Sequence, residues 1–140
     1  MKCTCVLFFL LAACVTTWAQ SGDGLIAGSG GGFTGMVTAY KIFLDGKVYK
    51  GKGVAEIQYT ACASIRKGKA RKLIRRATHT LNTAGEFDAP GNQYYFLTLV
   101  QSGKENKVTW GAADRPAPDS LRNLYQEVQG MAAGLKYKPL

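Results

Sequence analysis

The chain has 140 residues, a formal charge of +9, a single histidine and four cysteines, a length that suits one domain with one core rather than two. So few groups able to exchange protons, attack as nucleophiles or hold a metal argue against an enzyme. The positive excess is concentrated, because seven of the eleven residues from Arg66 to Arg76 (RKGKARKLIRR) are Lys or Arg, while the rest of the chain is nearly balanced.

Lys2 and the apolar run VLFFLLAA from Val6 to Ala13 have the form of a signal peptide, and that run is too short to span a bilayer. The expected product is an exported protein, secreted or periplasmic. Two processing signals compete. Thr17-Trp18-Ala19 before Gln20 suits ordinary signal peptidase and makes residues 1–19 the signal peptide. Leu11-Ala12-Ala13-Cys14 has the form of a lipobox, after which Cys14 would carry lipid and anchor the protein to a membrane. The first fits better, since the second leaves an unusually short signal. Cys3 and Cys5 depart with the signal, so Cys62 has no disulfide partner and reads as a small buried hydrophobe.

Residues 20–34 read as a glycine-rich tether. From Ser21 to Gly35 seven of fifteen residues are glycine, and ordering such a stretch costs much backbone entropy. Gly30, Gly32 and Gly35 satisfy G-x-G-x-x-G, but the dinucleotide fingerprint needs a helix to open on the third glycine, and here a strand follows. A single domain is expected over residues 35–135. Met36 to Leu44 suits a strand, Asp45-Gly46 a hairpin turn and Lys47 to Lys50 the return. Ala55, Ile57, Tyr59, Ala61 and Ala63 alternate with polar residues and Cys62, which predicts a third strand. After Ser64 the period changes: Ala70, Leu73, Ile74, Ala77 and Leu81 form the apolar stripe of a helix that ends at Asn82 or Gly85.

After the breaker Pro90-Gly91-Asn92, the run Tyr94 to Val100 reads as a central strand with two apolar faces, reversing at Ser102-Gly103 into Lys107 to Trp110. Asp119 or Ser120 is placed to cap a second helix with the stripe Leu121, Leu124, Tyr125, Val128 and Met131, which Gly130 and Gly134 stop. Residues 136–140 form a frayed tail. The resulting fold is α+β: a mainly antiparallel sheet of four to five strands with two helices packed on one face.

His79 lies near the end of the basic helix and reads as a surface residue, and Cys62 has no Cys or His at ligand spacing. Glu86 and Asp88, with Asn82 and Asn92 nearby, read as turn formers whose spacing is not that of a calcium loop. No G-x-S-x-G surrounds Ser64 or Ser120. No catalytic, cofactor or metal residues are therefore assigned. The basic run offers a binding surface of Arg66, Lys67, Lys69, Arg71, Lys72, Arg75 and Arg76 for polyanions or an acidic envelope surface. Phe33, Glu86, Asp88 and Asn92 mark candidate contact loops.

GGGFTG (Gly30 to Gly35), Pro90-Gly91-Asn92 with Tyr94 to Phe96, and Thr109-Trp110-Gly111 together resemble the motifs of a group of small exported proteins and lipoproteins of Bacteroidetes-type bacteria to which no chemistry is assigned. More distantly, the Gly31-Gly32-Phe33 start and the order of helices and strands resemble emfourin-like proteins, inhibitors of thermolysin-like metalloproteases. That likeness implies a non-catalytic binding protein that blocks a protease with a rigid loop, although no inhibitory residue carries over position by position. The expected partner is a protein, with a protease as the specific candidate, or else an anionic envelope polymer reached through the basic helix. Nucleic acid is not an expected partner, and membrane contact is expected only through lipid on Cys14.

Overall fold

A computed structural model describes residues 22–140; the signal segment, both processing signals and Cys14 lie outside the described residues. The elements run β1 (Gly24–Gly31), β2 (Val37–Phe43), β3 (Lys47–Gly53), β4 (Gln58–Ser64), α1 (Lys67–Ala84), β5 (Asp88–Ala89), β6 (Gln93–Gln101), β7 (Lys104–Trp110), α2 (Asp119–Ala133) and β8 (Lys138–Pro139). The strands form one sheet in the order β5-β7-β6-β1-β2-β3-β4-β8, antiparallel except where β5 lies parallel to β7. The class is α+β, as expected, but the sheet has eight strands rather than four to five. The additions are β1 and the two-residue strands β5 and β8.

The largest correction concerns the glycine-rich stretch. Residues 24–31 are not a tether: β1 lies inside the sheet, paired with β2 on one side (Gly24 with Phe43, Ser29 with Thr38) and β6 on the other (Gly24 with Val100, Gly31 with Gln93). The ordered domain therefore begins well before residue 35. Alternation explains how a glycine-rich strand holds this place. Leu25 and Ala27 point to the helix side and are fully buried. Gly24, Gly28 and Gly30 point to the other side, where aromatic rings of neighbouring strands occupy the space a side chain would fill. A β-carbon on Gly28 would lie 2.5 Å from Phe96 Cζ, and one on Gly30 would lie 2.8 Å from the Tyr94 hydroxyl. Ladder bonds on both edges and ring burial offset the entropy of ordering the glycines.

Both helices pack on one face. Ala70, Leu73, Ile74, Ala77 and Leu81 of α1 are buried as their spacing predicts, and with Leu121, Leu124 and Val128 of α2 they enclose Leu25, Ile42, Val48, Leu97, Leu99, Val108 and Trp110 of the sheet. Tyr125 and Met131 pack partly buried against this core. Gly85 closes α1 at φ 64°, donating its N–H to the Leu81 carbonyl at 3.0 Å. The start of α2 differs from the expectation. Pro118 holds the cap position without a side-chain bond, and Asp119 sits in the first turn, paired with Arg122. Gly130 lies within α2, and only Gly134 caps it.

Among the described residues no helix lies on the opposite face, which is covered by its own side chains. Val37, Ala39 and Phe96 are buried there, with Ile26, Ile57 and Tyr94 packed against them. Lys41 Nζ stands 4.9 Å above the Phe43 ring and Lys107 Nζ 5.1 Å above the Phe96 ring, a stacking that covers apolar rings with wettable cations.

The turns follow their residues. Ser102 and Gly103 take φ 50° and 74°, the left-handed pair of a two-residue hairpin. At the β2–β3 turn only Gly46 has positive φ, at 91°. Its N–H donates to the Phe43 carbonyl at 3.0 Å while Asp45 Oδ1 accepts from Lys47 N at 2.9 Å, so this turn spans three residues. The third predicted strand starts later than expected, at Gln58, and a bulge interrupts it. Lys50 pairs with Ala61 but Gly51 with Tyr59, so Thr60 is the extra residue. Tyr59 therefore faces the helix-free side and Ala61 the helix side. Cys62 is half-buried on the helix-free side rather than fully buried.

The tail is not frayed, because Leu140 N donates to the Thr60 carbonyl at 3.0 Å and β8 pairs with β4. Tyr137 secures it, its hydroxyl donating to the Ala132 carbonyl at 2.9 Å and its ring tilted against Tyr40. Burial, with Tyr40 adding to it, pushes the Tyr137 phenol up to about 12.

Two tests follow from this packing. Gly28→Val should destabilise the protein by about 2 kcal/mol or more, because the Phe96 ring must be displaced. Gly130→Ala, with nothing within 4 Å of the added carbon, should stabilise it by about 1 kcal/mol. Urea melts of the two variants check the contrast. Because the Tyr137 phenol is raised in the folded state, its contribution is intact below about pH 10 and is lost as the pH climbs towards about 12. The difference in urea midpoint between the native chain and Tyr137→Phe should shrink across that window.

Candidate functional site

The antiparallel ladder gathers four loops at one end of the sheet. β1 ends and β6 begins there (Gly31 pairs with Gln93), as do β2 and β3 (Val37 with Gly53) and β6 and β7 (Tyr95 with Trp110). Segments 32–36, 54–57, 90–92 and 111–118 therefore share this end. The first is a tight glycine turn: Gly31, Gly32 and Gly35 take φ 97°, 71° and 61°, backbone shapes that favour glycine. Gly32 N donates to the Asn92 carbonyl at 2.7 Å and Gly35 N to the Gly32 carbonyl at 3.3 Å. These bonds fix the turn while its aromatic side chain, Phe33, stands wholly in solvent. Val54, 63% exposed, and Met36, 45% exposed, are at the same end, and a β-carbon on Gly35 would lie 3.8 Å from Val54 Cγ1. The loop end thus presents three large apolar side chains on a fixed backbone.

The four predicted contact residues divide into two pairs. Asn92 accepts a bond at its carbonyl from Gly32, the residue before Phe33, so the two belong to adjoining loops. Glu86 and Asp88 line a separate cavity of about 490 Å³ at the sheet margin, together with Phe87, Glu105, Asn106, Lys107 and Thr109. His79 is in neither place. It lines another cavity of about 490 Å³ beside α1, with Leu44, Arg71, Ile74, Arg75, Thr78 and Gln101. Of the three groups on which an acid–base reading would depend, Glu86 and Asp88 share a cavity and His79 lines a different one. Among the described residues no three His, Cys, Asp or Glu side chains converge as metal ligands would.

The seven basic residues are all exposed. At 100° per residue, Arg71 and Arg75 lie on the flank of α1 that faces the β2–β3 turn, and they border the His79 cavity with the half-exposed Leu44. Arg76 lies on the other flank and pairs with Glu127 of α2. Arg66 precedes the helix, and Lys67, Lys69 and Lys72 are spread around its first two turns.

Elsewhere, burial holds the Lys41 ammonium below its ordinary value, with Glu105 opposing the shift. Tyr95, Trp110 and Tyr125 form a ring cluster with centroids 5.4 to 6.0 Å apart. Burial raises the Tyr125 phenol, and a hydrogen bond with Ser29 opposes that rise. The residues missed in the sequence are Met36 and Val54, whose signal was their place beside glycine turns at strand ends. The chain matches no model of a known protein family, and no curated protein is significantly similar to it.

If the loop end is built for contact, its apolar tip should be dispensable for folding. Phe33→Ala should change stability by less than about 0.5 kcal/mol. Gly31→Ala, whose β-carbon would collide with the Asn92 carbonyl at a positive φ, should cost about 2 kcal/mol or more. Thermal melts of both variants decide the point.

Proposed function

We propose that this chain is a non-catalytic, exported binding protein that docks on a protein partner through the loop end of its sheet. The observation that carries this reading is the fully exposed Phe33, held on a hydrogen-bonded glycine turn beside Met36 and Val54. A large aromatic residue on a rigid loop loses little conformational freedom on binding, which is the economy of an interface anchor. Scattered exposed apolar residues are ordinary on a protein surface, whereas three at one end form a docking tip.

Inhibition of a thermolysin-like metalloprotease is the specific form of this proposal, following the emfourin resemblance. Phe33 would enter the protease cleft while Val54 and Asn92 bear on its rim. Titrating such a protease with the Gln20–Leu140 protein should reduce peptide hydrolysis in a saturable way, with little dependence on salt. Phe33→Ala and Val54→Lys should each weaken the effect by at least about tenfold. Undiminished hydrolysis at high inhibitor concentration would sink the protease reading, and a captured partner that ignores both substitutions would sink the loop end as the docking surface.

A second reading is favoured by the cavity that Arg71, Arg75 and His79 border. An anionic envelope polymer would bind there with an affinity that falls steeply with salt, and Arg71→Glu with Arg75→Glu should abolish it. Retention on an anionic polymer matrix across a salt gradient separates the two surfaces, because the loop-end variants leave that retention unchanged.

A further inference from the structure

From the free margin of β7 we infer a second binding site, one that takes an extended peptide carrying lysine or arginine as an added strand. In the β6–β7 hairpin, Gln101 and Lys104 close a two-residue turn. Lys104, Asn106 and Val108 therefore exchange backbone bonds with β6, while Glu105, Lys107 and Thr109 direct theirs outward. Thr109 confirms the parity: its N–H donates outward to the Phe87 carbonyl at 2.9 Å. There the cover ends. β5 pairs only with Thr109 and Trp110, and among the described residues no backbone group meets the outward N–H and C=O of Glu105 or Lys107.

Such an edge is a template for another strand, and proteins commonly blunt it with bulges, proline, covering chain or charged side chains; β7 carries the charges of Lys104, Glu105 and Lys107 but no proline. The edge borders the cavity of about 490 Å³. Because that cavity is lined by Glu105 and Lys107 from one sheet face and Asn106 from the other, it straddles the edge. Asn106 Nδ2 donates to Asn82 Oδ1 at 3.5 Å, which ties the helix-side wall to α1. β5 marks the path that an incoming strand would continue.

The side chains set the chemistry of the guest. Glu86, Asp88 and Glu105 are exposed along the groove. Lys107 has its ammonium 5.1 Å above the Phe96 ring, on the sheet face. Arg115 is drawn onto the Phe87 ring, its guanidinium carbon 4.8 Å from the centroid. An extended segment with alternating basic residues would gain backbone bonds from Glu105 and Lys107 and charge pairing from the carboxylates. This site is separate from the loop end and stands or falls independently of it.

The test uses the Gln20–Leu140 protein and a short fluorescein-labelled peptide alternating valine and lysine, against its valine–glutamate counterpart. The lysine peptide should bind at least about tenfold more tightly, and it should slow amide exchange at Glu105 and Lys107. Glu105→Pro removes an outward N–H without touching the β6 ladder, and it should weaken binding by a similar factor. Asp88→Lys with Glu105→Lys should reverse the peptide preference, which keeps the charge arm testable if the proline variant fails to fold. Absence of binding, equal binding of both peptides, or exchange protection confined to α1 would overturn the site. So would protection of the two amides without peptide that fades on dilution, since a second copy would then occupy the edge.

Discussion

The structure depends on two aromatic rings lying over a strand that has too few side chains of its own. Phe96 and Tyr94 of β6 cover Gly28 and Gly30 of β1 on the helix-free face, while Leu25 and Ala27 of the same strand enter the helix-side core. This arrangement joins the two halves of the sheet, since β1 stands between the β2–β3–β4 meander and the β6–β7 hairpin. Small residues on β1 and large ones on β6 are two parts of one packing solution. Enlarging the first evicts the second, and trimming the second exposes a row of bare backbone.

That solution also explains how a broad sheet face does without helices. Rings take the space that side chains on the glycines would fill, and the ammonium groups of Lys41 and Lys107 stand over the rings of Phe43 and Phe96. The face buries Ala39 completely and Phe96 almost so while presenting cations to solvent. The two contact surfaces proposed above consequently lie at the margins: the loop end with Phe33, and the β7 edge.

Where periodicity was unambiguous the sequence was a good guide. The buried stripe of α1, the strand from Tyr94 to Val100 and the Ser102-Gly103 turn lie where their residues place them, because each is set by local spacing or local φ. The glycine-rich stretch misled because composition outweighed pattern. Leu25-Ile26-Ala27 is a short apolar run that suits a strand, but the rings that justify its flanking glycines come from far along the chain. The β4 bulge was hidden for a related reason, since an extra residue at Thr60 shows only in its register with β3. Of the candidate sites, Phe33 was legible as an aromatic residue among glycines. Its neighbours Met36 and Val54, and the separation of His79 from Glu86 and Asp88, depended on which strand ends the topology brings together.

The position of β1 also governs when the chain can acquire its structure. Its second neighbour, β6, is synthesised only after the meander and α1, so Gly24 waits for Val100 and Gly31 for Gln93. Pairings this distant in sequence make folding slow relative to a helical domain of the same size, because loop closure must be met before the contacts stabilise it. Until β6 arrives, β1 has one bonded edge and a row of uncovered glycines, and the domain lacks its centre. The central pairings of the sheet can therefore form only after more than half of the chain has been made.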